Sequence, residues 1–224
     1  NTSNQFLAVK FRFMEGYNSR DVLDFNVVMS PFDVYTGVVE AGNGTAGDKT
    51  SGVRFRIPAL ETTCTAPYLA PDSSFGLSPV AYAGSGNVNA DGGPTTNDRL
   101  REGYVMAMVM GHANRADLAA IVADTNDVIP ALRTAAATLL LADHANAGNT
   151  SAAARATQCT AVQNLFATAN FTAGSLTTPR LFGEPINALK GNYSLLNVER
   201  GTSAGGNAVI LSNFFNMTAG TDFV

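Results

Sequence analysis

Leu7, Val9, Phe11 and Phe13 alternate with Ala8, Lys10, Arg12 and Met14, the period-2 pattern of a strand with one buried face. Glu15-Gly16-Tyr17-Asn18-Ser19 breaks the pattern with turn formers. A second run then sets Leu23, Phe25, Val27 and Met29 on one face against Val22, Asp24, Asn26 and Val28 on the other. Ser30-Pro31 closes it, and Val34 to Val39 predicts a third strand. Val53, Phe55 and Ile57, alternating with Arg54 and Arg56, predict a fourth that Pro58 stops. Strands and turns in this succession read as an antiparallel meander and place the chain in the mainly β class.

The pattern changes twice further on. From Pro67 to about Asp98 the chain is rich in Pro, Gly, Ser, Asn and Asp, with Gly84-Ser-Gly and Asp91-Gly-Gly-Pro as turn signals. A loop this long is uncommon without a role in contact or binding. Glu102 to Met110 is apolar on both faces and predicts a central strand covered on both sides. Met106, Met108 and Met110 share one face; a soft core filler explains them better than a copper site. An Ala-rich stretch from about 116 to 170 follows helical spacing. One helix is expected from Pro130 to about His144, with Asp127 or Asn126 as cap and Leu132, Leu139 and Leu140 inward. A second is expected from Ser151 to Ala169, carrying Val162, Leu165 and Phe166 inward. Asn192–Glu199 and Asn207–Phe215 read as two closing strands. The expectation is one domain over 1–224, an antiparallel β-sandwich with a two-helix insertion at about 116–170.

Composition narrows the function classes. Of the 224 residues, 46% are hydrophobic, enough to build a core. Only 14% are charged, against a usual value of about 25%. Gly, Ala, Ser, Thr and Asn take up the difference, a balance common in surface-layer and fibre proteins. A net charge of −4 without a basic cluster argues against nucleic acid. The apolar runs are too short for a membrane span.

Cys64 and Cys159 are the two cysteines, far apart and in no metal-ligand or CxxC spacing. They are expected to form a disulfide, which implies an oxidising, extracellular setting. The bridge would tie the helical insertion to the β-body. The chain opens on Asn1-Thr2-Ser3, without an initiator Met or a signal peptide, and reads as a processed or truncated start. N-x-S/T sequons stand at Asn1, Asn43, Asn149, Asn170, Asn192 and Asn216, a mild excess for so Asn- and Thr-rich a chain.

Signals for chemistry are weak. His112 and His144 have no second His or Cys at ligand spacing. Neither Gly174-Ser175 nor Gly201-Thr-Ser203 makes a nucleophile elbow. Glu15, Asp21, Asp24, Glu102 and Glu184 are carboxylates of the kind a glycosidase uses, with nothing to show that any two converge. No catalytic residue is assigned. The best metal candidate is calcium at Asn87, Asn89, Asp91 and Asp98, which match positions 1, 3, 5 and 12 of a calcium loop with Gly92 at 6. Position 1 is a neutral Asn and position 12 the shorter Asp, so no cofactor is expected beyond that candidate.

Val9–Gly37 (VKFRFMEGYNSRDVLDFNVVMSPFDVYTG) and Arg99–His112 (RLREGYVMAMVMGH) resemble two signatures of a family of uncharacterised secreted proteins of Gram-negative bacteria, VKxRFxEGxNSRxVLDFNxxxSPxDVWT and TREGYxEIxEMG. Tyr35 stands where Trp is usual, and Met106 and Val109 replace acidic positions. The resemblance transfers no functional residue. It implies a further strand upstream of this chain's start, whose absence would leave the Leu7–Met14 strand as an open sheet edge. Together these readings favour a secreted, non-enzymatic structural subunit of an extracellular fibre, pilus-like filament or surface matrix, pairing strands with copies of itself. The alternatives are a carbohydrate or surface-ligand module using the Pro67–Asn97 loop, and a secreted hydrolase with dispersed carboxylates.

Overall fold

The computed structural model describes residues 1–42, 52–78, 90–126, 128–147, 151–167, 170–171 and 180–211. The alternating start becomes β1 (Gln5–Glu15), paired antiparallel with β2 (Asp21–Met29) from Leu7 opposite Met29 to Phe13 opposite Leu23. That register puts both apolar series on one face, as their period requires. β3 (Val38–Ala41), β4 (Val53–Arg56) and β6 (Ser74–Gly76) make a separate antiparallel sheet in the order β3-β4-β6. β5 (Cys64–Ala66) joins the outer side of β2, and β7 (Gly103–Asn114) the other side of β1.

The order β5-β2-β1-β7 corrects two expectations. β1 is not an edge: β7 runs beside it from Gln5 opposite Asn114 to Glu15 opposite Gly103. Gly103 permits this approach, since a Cβ there would lie 2.2 Å from the Met14 carbonyl oxygen. The strand expected to be central, β7, is instead the outer one among the described residues. Its apolar residues on both faces misled the reading, because periodicity does not distinguish a covered strand from an exposed one. Tyr104 and Val105 are about half exposed.

Each face of this sheet carries its own core. Phe6, Ala8, Val28 and Ala113 pack under helices α1 (Arg115–Ala123), α2 (Pro130–Leu141) and α4 (Ala152–Val162) through Leu118, Leu132, Leu139 and Val162. Leu7, Val9, Phe13, Phe25 and Val27 pack on the opposite face against Phe55 and Ile57. The Phe55 ring centroid lies 5.0 Å from that of Phe13 and 5.4 Å from that of Phe25. The result is a mainly β fold of antiparallel sheets with a helical segment, but the sheets do not close on one another as a finished sandwich.

The helical insertion falls where expected and is more divided. α3 (His144–Ala147) is a single turn, and 3₁₀ turns follow at Gln163–Phe166 and precede β7 at Asn97–Leu100. α1 was not separately expected; Asn114, the last residue of β7, caps it by accepting from Ala116 N–H. At α2 the residue before Pro130 is Ile129, which gives no side-chain cap, so Asn126 is not the cap and Asp127 lies outside the described residues. The Cys64–Cys159 disulfide is present, with a sequence separation of 95, and fastens α4 to β5. Arg155 of α4 reinforces the joint from a buried position, donating to the carbonyls of Thr62, Leu141 and Ala142. No helix among the described residues is long and apolar enough to cross a membrane.

The C-terminal part differs from expectation. β8 (Asn192–Asn197) pairs with β9 (Thr202–Asn207), not with the apolar Asn207–Phe215 run, of which 212–215 lie outside the described residues. The tight turn at Val198–Gly201, with Gly201 at φ 61°, brings Thr202–Asn207 back first.

Candidate functional site

Two surfaces of the chain lack a partner among the described residues. One is the outer edge of β7 from Gly103 to Met110; beyond it, His112 bridges to Gly183 and closes the strand's far end. Residues opposite one another share a face, so Val105, Ala107 and Val109 lie with Phe13, Phe11 and Val9. Met106 and Met108 lie with Arg12 and Lys10, where the helices do not reach. Met106 and Met108 are thus a half-buried stripe beside the edge, while Met110 packs against the helix-side core.

The other surface is the β8–β9 hairpin. Every residue from 191 to 211 is exposed. Leu195 is 63% exposed, Leu196 73% and Val198 90%, with Tyr193 at 54%. Tyr193 and Leu195 point to one face, Ser194 and Leu196 to the other, so neither face is the polar one. Val209, Ile210 and Leu211 continue the exposed apolar run.

A third feature is polar. Ser30, Phe32, Asp33, Arg115, Asp143 and His144 line a cleft of about 340 Å³. Asp33 is buried; burial pushes its carboxyl above the ordinary range, against the pull of His144 and the Ser30 N–H. Ser30 Oγ donates to Asp33 at 3.3 Å and accepts the His144 backbone N–H at 3.0 Å. The His144 ring sits 3.5 Å from Asp33 and 3.3 Å from Thr62 Oγ1. Ser, His and Asp therefore meet, but the serine bonds to the carboxylate and not to the imidazole, which is not a nucleophile's arrangement. Glu61 alongside accepts from the N–H and hydroxyl groups of Thr36 and Thr63, stitching the loop after β2 to the lead-in of β5. Arg115 pairs with Asp143 and lies 5.7 Å over the Phe6 ring. Sequence reading did not single out Asp33 and Glu61 as neighbours; 27 intervening residues separate the two.

Four of the five candidate carboxylates have structural partners. Glu15 is fully buried and accepts from Arg99 at 3.1 Å and from the N–H groups of Tyr17, Asn18 and Arg20. Burial pushes its carboxyl up, but those bonds outweigh burial and hold it at about 2. Asp21 pairs with Arg12, Asp24 with Lys10 and Glu184 with Arg180. None of the five carboxylates lines the cleft. His112 Nδ1 meets the Glu184 carbonyl at 2.5 Å.

Of the calcium set, Asn87 and Asn89 lie outside the described residues. Asp91 is gripped through both oxygens by Arg99 at 2.7 and 3.1 Å, which holds its carboxyl well below the usual range. Asp98 pairs with Arg101 at 2.9 Å. A cation at this loop would have to displace Arg99 from Asp91. Among the described residues no three His, Cys, Asp or Glu side chains gather as a metal site. Of the sequons, Asn43, Asn149 and Asn216 lie outside the described residues. The side-chain amide of Asn1 donates to the carbonyls of Gln5 and Ser30, and that of Asn170 to those of Asn164 and Leu165. Asn192 is exposed on the hairpin.

The chain matches no protein-family model, no curated protein and no solved structure.

Proposed function

We propose that this chain is a secreted structural subunit of an extracellular fibre or surface matrix that assembles by strand pairing between copies. The observation that carries the reading is the β8–β9 hairpin, an ordered ladder whose large apolar side chains are exposed on both faces. Exposed apolar groups scattered singly need no explanation, but a contiguous set marks a contact surface. Burying Tyr193, Leu195, Leu196 and Val198 would supply roughly 6–12 kcal/mol at about 1.5–3 kcal/mol each. That is the scale needed to offset the several kcal/mol lost in joining two bodies. The disulfide and the low charge fit an extracellular setting. In this reading the two sheets are an open sandwich, completed by contacts between subunits.

Sedimentation of the purified chain over a concentration series, with negative-stain microscopy of the largest species, tests the proposal. Growing linear assemblies are expected. A monomer at every concentration would remove the reading.

The polar cleft favours a second reading, a surface-ligand module. Phe32 is 66% exposed at its lip and adopts φ 58°, a conformation non-glycine residues rarely hold. An aromatic plate beside Asp33, Asp143 and Arg115 suits a sugar ring with hydroxyls. Titration of the chain with a panel of simple saccharides, with Phe32→Ala as the control, tests it; no saccharide-dependent change in the wild-type chain would retire it.

A further inference from the structure

The proposed assembly needs a donor and an acceptor. We infer that the β8 strand of one copy adds antiparallel to the Gly103–Met110 edge of β7 in the next. This rests on the assembly reading above and names its contact.

Length and direction argue for this pairing. Among the described residues the open part of β7 runs from Gly103 to Met110, and β8, Asn192 to Asn197, fits within its reach. β8 carries the large apolar side chains, whereas β9 is Thr-Ser-Ala-Gly-Gly-Asn. An antiparallel arrangement sets the hairpin turn beside the start of β7; a parallel one sets it at the far end.

Charge then selects the direction. Arg101 and Glu102 stand exposed just before β7, and Glu199 and Arg200 stand exposed in the hairpin turn. Antiparallel pairing brings these two charged pairs side by side, and with Leu196 opposite Met106, Leu195 meets Ala107 and Tyr193 meets Val109. Leu196 then covers the half-buried methionine stripe, and Leu195 and Tyr193 extend the Val105–Val109 face. Slipping by one residue turns every side chain to the wrong face. Donor and acceptor are different surfaces, so the contact is head-to-tail and repeats into an open chain of copies instead of closing as a symmetric dimer. Added strands of this kind take their affinity from backbone pairing and their register from side chains.

The test uses two double variants of the full chain. Leu195→Lys with Leu196→Lys spoils the donor; Val105→Lys with Ala107→Lys charges the acceptor edge. The wild-type chain is expected to form a ladder of sizes, and each variant alone to stay monomeric. An equimolar mixture of the two is expected to form a two-chain complex and nothing longer, because one intact donor faces one intact acceptor. Wild-type assembly with an edge variant that assembles equally well, or with a mixture that stays monomeric, overturns this pairing and leaves the fibre reading standing. A monomeric wild type overturns both. If the edge variant does not fold, Leu195→Cys and Ala107→Cys chains mixed under mild oxidation decide the matter. A covalent heterodimer on a non-reducing gel supports the pairing, and its absence while wild type assembles overturns it.

Discussion

β1–β2 and β8–β9 are the same kind of object, two antiparallel strands in continuous register, and they meet opposite fates. β1 and β2 lie between two cores, so Phe6, Leu7, Val9, Val27 and Val28 are fully buried. β8 and β9 have no layer on either face among the described residues. A lone two-stranded hairpin is marginal in water, and its ladder hydrogen bonds add little beyond what water would supply. The apolar residues of β8 belong to neither core of the body. On the assembly proposed above they serve a contact outside the chain, and the body and the hairpin should then respond to substitution in unrelated ways.

Removing the disulfide should do most damage, and all of it to the body. Closing a loop with a separation of 95 residues restricts the unfolded chain, a contribution of about 4 kcal/mol in the loop-entropy view. Cys64→Ala with Cys159→Ala is expected to lower the denaturant midpoint accordingly, measured by far-UV circular dichroism in urea. An unchanged midpoint would mean that the packing of α4 on β5 does not need the bridge.

Breaking the buried ion cluster comes next. Arg99 sits between Glu15 and Asp91 with all three side chains nearly inaccessible to solvent. Arg99→Met leaves two buried carboxylates without their cation and is expected to cost about 3 kcal/mol in the same unfolding assay. Acid probes the same cluster from the other side. Glu15 is held at about 2 when folded against its ordinary 4.5, so it adds stability above about pH 4.5 and loses it as pH falls towards 2. The loss should be on the order of 2 kcal/mol. Asp33 acts with the opposite sign: its raised carboxyl costs stability once ionised and relieves that cost on protonation. The acid limb should flatten in Arg99→Met; a limb as steep as in the wild-type chain would show that the Arg99 contact is not its source.

What was readable beforehand follows the range of each signal. Local alternation set β1, β2 and β4 to within a residue or two, because a strand that buries one face must show its period. The bridge was readable because two cysteines allow one intramolecular pairing. Strand order was not, since nothing in Gly103–Met110 distinguishes a covered strand from an outer one. Its doubly apolar character is as consistent with a missing neighbour as with a buried position. The hairpin was half legible: Asn192–Asn197 was placed, but the small residues Thr202–Asn207 carry no strand pattern and pair because the turn returns them there. Arg155 and Glu61 escaped because their partners are backbone groups and residues distant in sequence.

The smallest expected effect discriminates best between the two regions. Leu195→Lys with Leu196→Lys removes two of the chain's more exposed leucines, at 63% and 73% exposure. Neither side chain belongs to either core, so the loss of buried area within one chain is slight. The urea midpoint of dilute, monomeric protein should move by no more than about 0.5 kcal/mol, the range of surface substitutions. The same double substitution in the body, at Leu132 and Leu139, would be expected to prevent folding. A drop of 2 kcal/mol or more in the dilute hairpin variant would mean that β8 packs against its own body in solution. In that case its apolar face serves the chain that carries it and is not held out for another.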